Sequence, residues 1–173
     1  MINLVPNFTE KEAVMANILI ALDSSAGAWR AVEYVAKTFG KTPGVQVILF
    51  HVLGSLPPAF WDDGHILQKK EREARQRVVA GWEREQEKSW KDLVRKAHQH
   101  LTDAGLAKEA VANKFKPRYF DVAEDIITEA ETEGCDTVIM GRRGMGTAKS
   151  LLLGSVTRKV VDGAKGFAVT IVE

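Results

Sequence analysis

The stretch Cys135–Thr157, CDTVIMGRRGMGTAKSLLLGSVT, contains a predicted strand, a glycine-rich loop and the start of a predicted helix. Its apolar run Thr137–Met140 is short and rich in β-branched residues, which is typical of a buried strand. The loop begins at Gly141, and a helical spacing of valines follows the turn Gly154-Ser155. Because strand, loop and helix in this order form the repeating unit of α/β proteins, the stretch predicts that fold class.

The loop after this strand has the composition of an anion site. Its glycines are Gly141, Gly144 and Gly146, and its cations are Arg142, Arg143 and Lys149. Glycine lets a backbone approach a ligand closely. Successive N–H groups and the N-terminus of the following helix then form a concavity suited to phosphate. We predict a nucleotide phosphate site here; the alternative is that the glycines only form a tight strand-to-helix loop.

The segment Gly144–Ser150 also resembles the Walker A loop of P-loop proteins. That motif requires a glycine directly before its lysine, and this chain has Ala148 at that position. We therefore reject the P-loop interpretation.

The composition favours one cytoplasmic domain. The chain has 173 residues, of which 45% are hydrophobic, enough for a single full core. We expect that domain at residues 17–173, after an N-terminal arm at residues 1–16. Lysine plus arginine (24) nearly balance aspartate plus glutamate (23), which gives no reason to expect nucleic acid or a membrane as partner. The single cysteine, Cys135, is predicted to be a small buried residue and fits a reducing cytosol.

Strand and helix patterns alternate along the rest of the chain. The other predicted strands are Ile18–Leu22, Val45–Leu53, Phe167–Val172 and a weaker one at Ala110–Lys116. Helical spacing of apolar residues lies between the strands, which predicts four helices on both faces of a parallel sheet. We expect Ser24 or Ser25 to cap the first helix and Asp121 or a neighbour to cap the third.

The second predicted helix is the longest, from Ile66 to Ala104. Its second half carries an unbroken apolar stripe, whereas residues 69–87 are dense in lysine, arginine and glutamate. We expect this charged part to extend beyond the core as a solvated arm.

Two loops are predicted to converge. In an open parallel sheet, ligands bind outside the carboxyl ends of the strands, where the strand order reverses. The loops that follow the first and fourth strands are Asp23-Ser24-Ser25 and Gly141–Ser155. We expect them to meet and to share one site.

The chain resembles the universal stress protein family. Three blocks carry the resemblance: NILIALDSS, VILFHV and DTVIMGRRG…LLLGSVTRKVV. Gly141, Gly144, Gly154 and Ser155 have the spacing of the family's ATP-binding signature: glycine, two residues, glycine, nine residues, glycine, serine. The resemblance implies a flavodoxin-like or Rossmann-like sheet of order 3-2-1-4-5. It also implies a homodimer paired through the last strand, Phe167–Val172.

The resemblance further implies a binding site for ATP, or another adenine nucleotide, with Mg²⁺. Asp23 is then expected to bond the ribose or help organise the metal and phosphates, and the backbone at Val52 to meet adenine. Ser24 is interpreted as a helix cap or a phosphate donor. The residues expected to hold phosphates and ribose are Gly141, Gly144, Gly154, Ser155 and Val156.

Two positions depart from the family pattern. Where family members have a glycine after the third strand, this chain has Arg118-Tyr119-Phe120-Asp121, whose bulk is expected to narrow the adenine pocket. Where one small residue is common after the first glycine, it has Arg142-Arg143. Arg142 is therefore either an additional phosphate ligand or a solvated side chain.

The sequence does not predict a dedicated enzyme. His51 is interpreted as a hydrogen-bonded core residue, and the other histidines have no metal-ligand spacing. No acid and base are paired for hydrolysis, so at most slow ATP hydrolysis is expected. The leading hypothesis is a nucleotide-dependent regulator of the stress response. The alternatives are a nucleotide-free interaction module of the same fold and an ATP-cleaving enzyme of the pyrophosphatase type.

Overall fold

Five parallel strands form the centre of the fold. The structure is a computed structural model that describes residues 16–53, 69–118, 121–145 and 152–173. The strands are β1 (Ala16–Ala21), β2 (Val45–Leu53), β3 (Val111–Pro117), β4 (Thr137–Gly141) and β5 (Ala168–Val172). They lie in the order β3-β2-β1-β4-β5. The predicted sheet and its order 3-2-1-4-5 are therefore confirmed.

Helices cover both faces of this sheet and divide the core in two. They are α1 (Ala26–Phe39), α2 (Lys69–Asp103), α3 (Val122–Thr132) and α4 (Ser155–Gly163). Apolar residues of α1 and α2 pack on one face of the sheet, against Ile18 and Ile20 of β1. Those of α3 and α4 pack on the other face, against Leu19. β1 is the middle strand of the sheet, so the helices bury it on both faces.

Side chains before α1 and α3 determine where these helices begin. Ser25 Oγ accepts a hydrogen bond from Ala28 N at 3.1 Å. Asp121 Oδ1 accepts bonds from Ala123 N at 2.8 Å and Glu124 N at 3.1 Å. Its other oxygen pairs with Lys159, and these bonds lower the pKa of Asp121. Both predicted caps are confirmed, because each oxygen satisfies amides that the helix leaves unbonded.

Strand β1 begins earlier than predicted. The arm was expected to include Ala16, but Ala16 and Asn17 belong to β1. Asn17 N donates to Asp136 Oδ2 at 2.7 Å, and Asn17 Nδ2 donates to Glu133 O at 2.9 Å. These polar contacts extend the strand beyond its apolar run, so a pattern of apolar residues alone places its start too late. Residues 1–15 lie outside the described part of the chain.

The long helix α2 contacts the core only through its second half. Trp90, Val94, Ala97 and Leu101 are buried, whereas most residues before Trp90 are exposed. The predicted stripe and the predicted solvated part are both confirmed. The predicted start at Ile66 lies outside the described residues. Within the described ranges, no helix is long and apolar enough to cross a membrane.

His51 joins the end of β2 to α2. Its ring stacks on Trp90, with ring centres 4.7 Å apart and planes inclined by 14°. Its Nδ1 lies 2.7 Å from the carbonyl oxygen of Leu22, which accepts the hydrogen bond when that nitrogen carries the proton. Burial lowers the pKa of His51, and the Leu22 carbonyl and the charge of Asp23 oppose that shift in part. The predicted hydrogen-bonded histidine is confirmed.

We expect two glycine-to-alanine substitutions to change stability in opposite directions. A Cβ atom added at Gly81 or Gly134 meets no atom within 4 Å, but Gly134 has a φ of +60°. Gly81→Ala should therefore raise the free energy of unfolding by about 0.5–1 kcal/mol, because alanine favours helix. Gly134→Ala should lower it by about 1 kcal/mol, because an L side chain is strained at that φ. Urea denaturation measures both, and equal shifts of the same sign would contradict this account.

We also expect the stability to fall in mild acid because of His51. Its pKa in the folded state lies below the ordinary value of 6.5, so the unfolded chain binds the proton first as the pH falls. The free energy of unfolding should decrease from just above pH 6.5 down through the lowered pKa. Denaturation between about pH 7.5 and about pH 5.5 should show a smaller decrease for His51→Gln than for the wild type. Identical slopes for the two proteins would exclude His51 as the cause.

Candidate functional site

Two loops meet at the carboxyl ends of β1 and β4, which are neighbours in the sheet. A Cβ atom added at Gly144 would lie 2.9 Å from Asp23 Oδ2. Ser24 Oγ lies 3.0 Å from Met145 Sδ, where it donates a hydrogen bond. The chain leaves β1 toward β2 on one side, and β4 lies on the other side, so this is the point where the strand order reverses. The predicted convergence of the two loops is confirmed.

A contact between two backbones holds these loops together. A Cβ atom added at Gly141 would lie 2.4 Å from the carbonyl carbon of Gly27, and one added at Gly27 would lie 2.2 Å from the carbonyl oxygen of Arg143. Real Cβ atoms do not come that close, so the first turn of α1 reaches the end of β4 only because both residues are glycine. Gly141 thus has a packing role that its place in a glycine-rich loop did not reveal.

Gly27 was not identified as a site residue from the sequence. Its signal was a glycine inside a predicted helix, where alanine favours the helical conformation more than glycine does. A glycine at such a position can therefore mark a contact that leaves no room for a side chain.

Asp23 shapes the loop after β1. Its Oδ1 accepts a hydrogen bond from Ser25 N at 2.9 Å, and its Oδ2 faces Gly144. The residue is half-buried, and Ser24 beside it is exposed. The carboxylate therefore stabilises the loop after β1 through Oδ1, and Oδ2 lies at the junction with the second loop.

The helix α4 begins at this junction without a side-chain cap. Its N-cap is Gly154, whose N–H donates to Arg142 O at 2.9 Å. The first bond within the helix runs from Arg158 N to Gly154 O at 2.9 Å, so the amides of Ser155 and Val156 come before any intrahelical donor. These amides and the helix dipole favour an anion at this end of α4.

Thr157 anchors that end of α4 to the sheet. Its buried Oγ1 donates to Gly141 O at 3.1 Å. Sequence reasoning missed Thr157, because a threonine inside a helical pattern gives no signal of the strand carbonyl it will meet. The contact places the start of α4 directly beside the end of β4.

Arg142 lies toward β5. Its backbone N–H donates to Val172 O at 2.7 Å, and its guanidinium Nη2 lies 2.6 Å from Glu173 Oε1. The Glu173 side chain is largely exposed, so this pair decides between neither of the two possibilities for Arg142, a phosphate ligand or a solvated side chain, and its role at the site stays a prediction.

Val52 lies on a part of β2 that extends beyond β1. The register of β1 and β2 ends at the pair Ala21 and Phe50, whereas β2 continues to Leu53 beside β3. Among the described residues, β2 therefore extends beyond the end of β1, on the side of the sheet where the two loops meet. The Val52 side chain is buried, so the backbone is the part of this residue that remains for a ligand.

Several predicted features fall outside the described residues. They are Gly146 and Lys149 of the glycine loop and the bulky pair Tyr119 and Phe120. Within the described ranges, no group of three histidine, cysteine or acidic residues is placed to hold a metal ion.

Known structures share this architecture. The solved structure of protein MJ0577 superposes with a TM-score of 0.63 and has 26% sequence identity to this chain. The match covers 93% of this chain and 99% of that one. A universal stress protein of Archaeoglobus fulgidus in complex with dAMP is 17% identical, with a TM-score of 0.57 and 92% and 99% coverage. A universal stress protein family member of Arabidopsis thaliana with AMP bound is 16% identical, with a TM-score of 0.57 and 91% and 92% coverage. The last two likenesses establish the fold alone.

Sequence comparison establishes the family. The family model described as "Universal stress protein family" matches residues 15–172. The universal stress protein MJ0577 of Methanocaldococcus jannaschii is 31% identical over 150 residues, which are 83% of this chain and 86% of that protein. The blocks that resemble the family thus lie within a match over nearly the whole chain, and the chain belongs to the universal stress protein family.

Proposed function

We propose that this protein binds ATP or another adenine nucleotide with Mg²⁺ and acts as a nucleotide-dependent regulator of the stress response. The observation that carries the proposal is the junction of the two loops, where Asp23 faces a glycine and α4 begins without a side-chain cap. A side chain at Gly144 would occupy the space beside the carboxylate. The AMP and dAMP bound by two proteins of the same fold support an adenine nucleotide as the ligand class.

The phosphates are proposed to bind at the start of α4. Gly154 is its N-cap and Ser155 and Val156 are its first two residues, whose amides have no acceptor within the helix. The helix N-terminus carries the equivalent of about half a positive charge. Arg142 is proposed to add positive charge beside these amides, because its pair with the exposed Glu173 can be exchanged at small cost.

Asp23 is proposed to bind the ribose or a magnesium ion rather than phosphate directly. Two anions in contact repel each other, so a carboxylate beside phosphates needs a hydroxyl donor or a cation between them. Mg²⁺ is commonly held by one or two carboxylates together with phosphate oxygens and water. Bound there, the ion would neutralise phosphate charge that the amides alone leave exposed.

Adenine is proposed to lie against the backbone at Val52. The end of β2 projects past β1 in the described part of the chain, and the His51 ring is held by Leu22 and Trp90 on the side of α2. That arrangement engages His51 in structural contacts, and among the described residues no other histidine lies on β1, β2 or β4 or in the loops that follow β1 and β4. It therefore supports a binding role ahead of one in which a histidine acts as general base.

The regulator is proposed to act as a homodimer through the outer edge of β5. This strand lies at one edge of the sheet, where an unpaired edge favours pairing with another chain. Ile171 is 37% exposed there. Arg142 bonds to both Val172 and Glu173, so the loop after β4 and the proposed dimer edge are in direct contact.

Calorimetry with the wild type and two glycine variants tests the nucleotide site. Wild-type protein, freed of nucleotide, should bind Mg-ATP or AMP. Gly144→Val should weaken binding by about tenfold or more, which is about 1.4 kcal/mol, because its side chain displaces Asp23 from the junction. Gly81→Val is the control, since its Cβ meets no atom within 4 Å and lies on α2.

Two results would contradict the proposal. Absence of binding at millimolar nucleotide would favour a nucleotide-free interaction module. Equal affinities for the wild type and Gly144→Val would remove the junction as the site.

Light scattering after size-exclusion chromatography tests the dimer. Ile171→Lys should yield a monomer, because a charge at the paired edge would have to be buried. Val78→Lys is the control, since Val78 is an exposed apolar residue on α2, 49% accessible, and this variant should remain a dimer. A dimer that persists in Ile171→Lys would exclude pairing through β5.

A further inference from the structure

The other edge of the sheet, β3, lies in a groove between two helices. Among the described residues, β2 is the only strand that pairs with β3, so the outer backbone edge of β3 has no strand beside it there. A cavity of about 810 Å³ follows this edge. Its walls are formed by α2 and α3, and β3 forms its floor. We call this cavity the β3 groove; its lining is Trp90, Lys91, Val94, Arg95, His98, Gln99, Asn113, Lys114, Phe115, Lys116, Glu129 and Glu133.

The β3 groove has an apolar part on the side of α2. The Phe115 ring lies 6.4 Å from the Trp90 ring, centre to centre, and Phe115 is 47% exposed. Val94 continues the same surface along α2. A large apolar side chain that remains half open beside an unpaired strand edge gives an added strand both backbone bonds and side-chain contact.

The wall formed by α3 is electrically balanced. Glu129 is buried, with only 1% of its side chain exposed, and it pairs with Lys116 and, at 3.2 Å, with Lys114. Glu133 also pairs with Lys114, and these contacts raise the pKa of that lysine. The two carboxylates and two lysines therefore compensate one another on this wall.

The wall formed by α2 is cationic. Lys91 and Arg95 line it, and their acidic partners Glu87 and Asp92 do not. The Lys91–Glu87 pair measures 2.8 Å and the Arg95–Asp92 pair 3.5 Å, and all four side chains are about half exposed or more. Exposed pairs of this kind contribute little to stability, so the two cations can exchange partners at small cost.

We propose that the β3 groove binds an extended, acidic peptide segment of another protein, which pairs with β3 as a sixth strand. The strand edge supplies backbone hydrogen bonds, and alternate side chains of the peptide would face α2 and α3. The excess of cations over carboxylates in the lining selects acidic residues in a chain whose overall charge is only +1. None of the residues assigned to the nucleotide site lines this groove.

Fluorescence anisotropy with labelled ten-residue peptides tests the proposal on the full chain. A peptide of repeating Val-Val-Glu-Glu presents both residue types on each face of the added strand and should bind. The same peptide with lysine in place of glutamate should bind about tenfold more weakly or worse. Two N-methylated versions of the acidic peptide are then compared. One carries N-methyl groups at the odd-numbered amides and the other at the even-numbered amides. At least one version should lose binding, because methylation removes the N–H groups that face β3.

A charge-reversal variant links binding to the groove itself. The double variant Lys91→Glu/Arg95→Glu should weaken binding of the acidic peptide by about tenfold. The control Arg30→Glu/Lys37→Glu makes the same change in net charge on exposed residues of α1 and should bind as the wild type does. Salt near 0.5 M should reduce the difference between the variants, because exposed charges are screened.

Three binding results would overturn the proposal, and one assembly result would do so as well. One is equal binding of the acidic and basic peptides, and another is full binding by both N-methylated versions. The third is an unchanged affinity in Lys91→Glu/Arg95→Glu. If this variant instead abolishes a dimer that Ile171→Lys leaves intact, the groove pairs with a second copy of the chain, and the peptide proposal is wrong.

Discussion

The contact between Gly27 and Gly141 is the constraint on which the rest of the site depends. It brings the first turn of α1 against the end of β4 at a distance that no side chain permits. As a result, the loop that carries Asp23 meets the loop that carries Gly144. Without this approach, two neighbouring strands would still end at the same edge of the sheet, but their loops would be separated by at least one side chain.

A second set of contacts connects the same junction to the edge of the sheet. Thr157 fixes the start of α4 to Gly141, and Arg142 continues from there to the last residues of β5. A ligand at the start of α4 would therefore act on a segment that is bonded to the strand proposed to pair in the dimer. Through this connection the proposed nucleotide would bias the proposed assembly only if it binds one arrangement of the β5 edge more tightly than another.

The two edges of the sheet differ in how they are built. The edge at β5 is short, five residues long, and bonded to the loop after β4. The edge at β3 lies between two helices, with a buried carboxylate, Glu129, held by two lysines of the strand itself. Burying such a charge is costly unless it is paired, so Lys114 and Lys116 are needed to compensate Glu129. The cationic wall of α2 therefore determines which charges the groove accepts.

The sequence by itself determined the succession of strands and helices along the chain, a cap at Ser24 or Ser25 and one near Asp121, and the convergence of the two loops. Those features depend on local spacing and on rules of chain connection that hold for any parallel sheet. Only the tertiary structure decided that Gly141 packs against Gly27, that Arg142 pairs with Glu173, and that Lys114 and Lys116 neutralise Glu129. These contacts join residues of different elements, and no local pattern encodes which atom of another element a side chain will meet once the core has set the distances between the elements.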